Sequence, residues 1–146
     1  MNTAEEMSLS DYRALAELRY EIRRFLRFSE QAAREAGLVP QQQQLLLALK
    51  GLPEERRATI GELAERLQLK HHSTVELIDR LAERGFIKRE RDEADQRRVL
   101  VHLTPQGEEV LQKLALLHRR ELKLVGPEFI RALGALMADD PDHPTD

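Results

Sequence analysis

Apolar residues recur at helical spacing along most of this chain and switch to a strand-like rhythm only once. From about Leu9 to Ala36, the positions Leu15, Leu18, Ile22, Phe25, Leu26 and Ala32 share one face. That spacing predicts a long first helix, capped by Ser8 or Ser10 and ended by Gly37. A second helix is expected over about Pro40 to Lys50, opened by its proline and stopped by Gly51 and Pro53. Thr59-x-x-Glu62 reads as a capping box, in which hydroxyl and carboxylate satisfy amides at a helix start. Ile60, Leu63, Ala64 and Leu67 then point inward, and a break at Gln68 to Lys70 leads to another helix with Val75, Ile78, Leu81 and Ala82 inside. Gly85 follows as a residue able to take positive φ, and two short strand patterns flank a polar tip, Asp92 to Arg97. Thr104 and Pro105 start a further helix carrying Leu111, Leu114, Ala115, His118 and Leu122. Gly126 and Pro127 are expected to break it, leaving a short last helix with Phe129, Ile130, Leu133 and Leu136.

Helix, turn, helix and charged β-ribbon, in that order, make a winged helix-turn-helix, whose usual work is reading DNA. The expected fold is therefore mainly α with a small β-wing, flanked by N- and C-terminal helices. The apolar stripes of those end helices exceed what a small winged helix can cover. In a two-fold dimer each would be buried against the same element of the other subunit.

Four pieces of sequence resemble the multiple-antibiotic-resistance regulator (MarR) family of winged-helix transcription factors. They are Leu63-Ala64-x-x-Leu67; Asp79-Arg80-Leu81 with Gly85-Phe86-Ile87; Asp92-x-x-Asp95-x-Arg97; and Leu103-Thr104-x-x-Gly107. Gly37-Leu38-Val39-Pro40 and the chain length resemble the family too. The resemblance implies one domain over 1–138, with dimerisation helices at about 9–36 and 104–138 around a winged helix-turn-helix at about 40–103. It also implies a homodimer paired through its end segments, and a pseudo-palindromic site with half-sites about one helical turn apart.

Composition narrows the alternatives. Charged residues at 34% and hydrophobic ones at 41% read as a soluble, helix-rich protein, and 4% aromatics leave packing to aliphatic side chains. With no cysteine there is no disulfide, thiolate metal site or cysteine-based redox sensing. No apolar stretch approaches the roughly 20 residues that span a bilayer, and the N-terminus lacks a signal-peptide core, so no membrane association and cytoplasmic residence are expected. The net charge of −3 argues weakly against nucleic acid, but the acidic segment 139–146, expected to be disordered, holds four aspartates and leaves +1 on the remainder. DNA affinity would have to come from a local patch around Lys88, Arg89, Arg91, Arg97 and Arg98.

The candidate DNA contacts follow from the expected recognition helix. Its early positions His71, His72, Ser73, Thr74 and Glu76 face base edges when the N-terminal turn enters a major groove. Ser73 and Thr74 discriminate weakly; the imidazoles can donate to guanine or pack on a thymine methyl. Glu76 can accept from a cytosine amino group or complete a second capping box with Ser73. Arg80 can reach a phosphate or pair with a wing carboxylate. In the wing, the resemblance implies that Arg97 enters the minor groove beside Arg98 and that Asp95 holds the wing's geometry; a narrow minor groove attracts a guanidinium. Adjacent histidines on a helix diverge by roughly 100°, so His71 and His72 do not read as a metal pair, and no metal or cofactor is expected.

Relatives resembling this chain lose DNA affinity when a small aromatic or phenolic compound binds, which makes Tyr20, Arg23, Arg27 and His118 candidate effector contacts. The plainer reading leaves the arginines solvent-facing and His118 a satisfied core or interface residue. No phosphate loop, HExxH, Gly-x-Ser-x-Gly or cysteine nucleophile supports an enzyme. A winged helix that binds protein in place of DNA is the alternative that the near-neutral charge and Glu76 favour.

Overall fold

The computed structural model of the chain describes residues 5–138; the acidic segment 139–146 lies outside them. The elements are α1 (Leu9–Glu35), α2 (Pro40–Lys50), α3 (Ile60–Leu67), α4 (His71–Glu83), β1 (Ile87–Arg91), β2 (Val99–Leu103) and α5 (Pro105–Met137). They form two compact units: Glu30–Leu117, and the described parts of Met1–Ser29 with His118–Asp146.

The larger unit is a winged helix. Leu45 and Leu46 of α2, Leu63 of α3, Ile78 and Leu81 of α4, Val101 of β2 and Leu114 of α5 are almost wholly buried in its core. Full burial of one such side chain contributes roughly 1.5–3 kcal/mol. β1 and β2 pair antiparallel in the register Ile87↔Leu103 to Arg91↔Val99. On the outer side of β2, the Val101 amide donates to the Ala58 carbonyl at 2.9 Å and Thr59 bridges Leu100. Gly37 and Gly85 adopt φ of +82° and +80°, closing α1 and α4 as expected.

The Leu103-Thr104-x-x-Gly107 motif now has a physical cause. Thr104 Oγ1 donates to the Gly85 carbonyl at 2.6 Å and accepts from the Gly107 amide at 3.1 Å. A Cβ on Gly107 would lie 2.1 Å from the Phe86 carbonyl oxygen, so only glycine lets α5 start this close to the α4–β1 corner. At Thr59 half of the expected capping box forms. The hydroxyl accepts from the Glu62 amide at 3.1 Å, but the Thr59 amide donates to the Arg57 carbonyl. The Glu62 carboxylate instead accepts from Arg66 Nε at 3.2 Å, drawn away by a cation one turn along.

In the smaller unit, Ser8 rather than Ser10 caps α1, exchanging reciprocal bonds with Asp11 at 3.0 and 3.1 Å. The Ser8 amide holds the Asp11 carboxyl below its usual range. Phe25 stands edge-on to His118 and Phe129, with ring centroids 5.9 and 6.2 Å apart. The expected break at Gly126 and Pro127 does not occur, and α5 runs through Pro127 to Met137. One of a proline's clashes with a helical residue before it is with that residue's Cβ, and Gly126 has none, which lessens the cost of continuing the helix. Ala132 is the one buried apolar residue of this unit among the described residues. No helix there or elsewhere in the described chain is long and apolar enough to cross a membrane.

Candidate nucleic-acid interface

The helix-turn-helix is set by the turn between α3 and α4. Gln68 takes left-handed geometry (φ 54°) at the end of α3, and the Leu69 amide reaches back to the Ala64 carbonyl at 3.0 Å. Lys70 is the extended residue before α4 and supplies no side-chain cap, so the helix begins at His71. Its first-turn amides therefore lack intrahelical acceptors and face outward as anion-binding groups.

Burial sorts the candidate contacts on α4. His71, His72, Glu76 and Arg80 are exposed, and His72, Glu76 and Arg80 lie four residues apart in one outward stripe. Ser73 is half-buried. Thr74 must be removed from the set of base-reading residues: it is fully buried and its hydroxyl donates to the Lys70 carbonyl at 3.0 Å. The Ser73-Glu76 capping box is also ruled out, because Ser73 sits inside α4 rather than before it. Arg80 forms no ion pair among the described residues; its neighbour Asp79 pairs with Arg89 of β1, tying α4 to the wing.

The wing tip is shaped by two aspartates. Asp95 accepts from the Arg97 amide at 3.1 Å, with Arg97 Nε 3.4 Å and Arg98 Nε 3.7 Å from its carboxylate. Asp92 is buried; Oδ1 accepts from the Ala94 amide at 3.0 Å, and Oδ2 pairs with Arg57 from the α2–α3 loop. The Ala94 amide, then Arg57 and Arg98, hold the Asp92 carboxyl below its usual range. The Asp92 amide and the Arg98 carbonyl close the hairpin at 3.0 Å. The Arg97 side chain is left 93% exposed at the tip.

The basic patch is more nearly neutral than a count of cations suggests. Lys88 lies 2.9 Å from Glu90, whose carboxyl it holds below its usual range, and Arg91 donates to the Gln96 carbonyl at 2.8 Å. Arg57 had no sequence signal, since its partner lies 35 positions away. Asp92 belonged to a recognisable motif, but its burial did not follow from it.

The candidate effector residues divide. His118 Nε2 lies 2.7 Å from Ser29 Oγ and its ring meets Phe25 and Phe28 edge-on. Tyr20 is exposed beneath the Arg24 guanidinium, 5.5 Å from the ring centroid, and Arg23 and Arg27 are exposed. In the winged helix an open groove of about 420 Å³ is lined by Leu49, Leu52, Ala58, Val101 and Leu103 with Arg56 on its rim, and by none of these four residues.

A helix-turn-helix joined to a two-stranded antiparallel wing defines the winged-helix class. Residues 36–98, most of the winged helix, match the MarR family model. Over 68 residues it is 38% identical to the uncharacterized HTH-type transcriptional regulator YsmB of Bacillus subtilis, covering 47% of each chain. The chain thus spans about half the length of the curated relatives it matches. Its fold is similar to that of AbsC, a MarR family transcriptional regulator from Streptomyces coelicolor (TM-score 0.69, 20% identity, 95% of this chain and 88% of that one). It is likewise similar to S. aureus MepR in a DNA complex (TM-score 0.62, 20% identity, 74% and 77%).

Proposed function

We propose that the chain is a homodimeric, sequence-specific DNA-binding regulator of transcription in the cytoplasm. It acts as a repressor at a pseudo-palindromic operator and is released by a small aromatic or phenolic ligand. The observation that carries the DNA reading is the joint presentation of an exposed α4 stripe and the exposed Arg97 at the wing tip. A similarly folded MarR relative is described in complex with DNA. In this reading His71, His72 and Glu76 meet base edges, Ser73 and Arg80 meet the backbone, Arg97 enters the minor groove and Arg98 flanks it.

Dimerisation is supported by the end helices, where Leu124 and Ile130 are 77% and 74% exposed. Apolar faces of that kind are covered in stable assemblies. A dimer carries two recognition helices, and a ligand that favours a spacing unlike that of the half-sites releases the DNA. His118, with Tyr20, Arg23 and Arg27 on the same helical unit, is the starting set for locating that ligand.

The test is a titration of the protein against duplex from its own upstream region and a scrambled control at two salt concentrations. Arg97→Ala should weaken the specific complex about tenfold and lower the salt slope by about one phosphate contact. Equal, feeble binding to both duplexes, unaffected by Arg97→Ala, would send the reading to a protein partner instead.

A further inference from the structure

The wing has little core of its own. β1 buries only Ile87 and β2 only Val101, and two strands alone are marginal in water. Its direction must therefore be set where it is fastened to the scaffold. The middle of β2 is fastened through Ala58 and Thr59, and the middle of β1 through Arg89 and Asp79. Beyond the last ladder pair, Arg91↔Val99, the only described side chain from outside the wing that is bonded to residues 92–98 is Arg57, through Asp92. Asp92 is also the one buried acid of the winged helix among the described residues. A buried carboxylate is costly unless it is paired, so it exerts a specific demand for a cation at that place.

We propose that Arg57 is a positioning residue: by engaging the buried Asp92 it fixes the wing's direction and so the line along which Arg97 is presented. This rests on the DNA reading above, but the fastening itself is measurable without DNA. Arg57 reaches the wing from the loop that also carries Ala58 and Thr59, so one short segment, 57–59, holds the middle of β2 and the start of the tip. A displacement of that loop would redirect the tip, while the Arg89–Asp79 pair keeps β1 on α4.

The chain has no cysteine, so Gln96→Cys at the exposed tip accepts a single spin label whose mobility reports the wing. Asp92→Asn keeps an acceptor for the Ala94 amide and removes the ion pair. Arg57→Gln and Asp92→Asn should each increase label mobility, and the double variant should move no more than either. Each should weaken operator binding about tenfold, again without adding in the double variant, and Arg57→Lys should restore most of both signals. Unchanged mobility in Arg57→Gln overturns the proposal. Lost affinity in Arg57→Gln with none in Asp92→Asn also overturns it, assigning Arg57 to a direct phosphate contact. Increased mobility in a protein that binds no duplex specifically leaves the fastening standing and removes only the DNA reading.

Discussion

The two units spend their apolar residues in opposite ways. Of the 17 buried hydrophobic residues among those described, all but Ala132 belong to Glu30–Leu117. Of the 15 large hydrophobics left exposed among the described residues, 11 belong to the smaller unit, among them Leu9, Leu26, Leu124, Ile130 and Met137. The winged helix is thus closed on itself, with a core drawn from α2, α3, α4, both strands and the adjoining ends of α1 and α5. The end helices carry comparable side chains without burying them. Such surface disfavours an isolated chain in water and is removed when a second copy covers it. The stability of the first region should therefore be intrinsic, and that of the second should depend on protein concentration.

The largest expected effect tests the closed region. Gly107→Ala should cost about 3–4 kcal/mol in urea unfolding, the same at every protein concentration, because its Cβ has no space beside the Phe86 carbonyl. A smaller but concentration-dependent loss is expected when Leu124→Glu and Ile130→Glu are combined. Sedimentation should show monomer, and operator affinity should fall about a hundredfold as the two half-sites uncouple. An unchanged dimer would break the comparison and place the interface elsewhere. Thr74→Val should cost about 1 kcal/mol through the lost hydroxyl bond to Lys70 and leave operator preference unaltered. A changed preference in a selection over randomised half-sites would return Thr74 to the reading surface.

The subtlest test is pH. Asp92 is held below its ordinary pKa, so its folded form prefers the carboxylate. The stability it contributes is complete above the unfolded value of about 3.9 and is lost as pH falls through the lower folded value. The Ala94 amide resonance, whose bond Asp92 accepts, should shift as pH falls through that lower value, and Asp92→Asn should abolish this shift. A transition at or above the ordinary value of about 3.9 would show that the carboxylate is not held by its partners.

Legibility in the sequence followed the range of the interactions. Helix periodicity, the Thr59 hydroxyl cap and the left-handed glycines at 37 and 85 depend on neighbours within a few positions, and they were readable. Pro127 misled because part of the breaking rule rests on a side chain before the proline, and Gly126 lacks one. Thr74 misled because helical position alone does not tell whether a small polar side chain faces outward or folds back on the carbonyl four residues earlier. Arg57 was invisible, since nothing local marks an arginine as the partner of an aspartate in a distant hairpin. The candidate surface was thus readable as a segment, but the burial of individual residues within it was not.

The division of labour on α4 also bears on how such a protein can change through descent. Thr74, Leu77, Ile78 and Leu81 anchor one side of the helix, while His72, Glu76 and Arg80 contribute no buried contact on the other. Exposed positions of this kind accept replacement at within about 0.5 kcal/mol. A lineage could therefore exchange its outward letters one at a time and acquire a new address without passing through an unfolded ancestor.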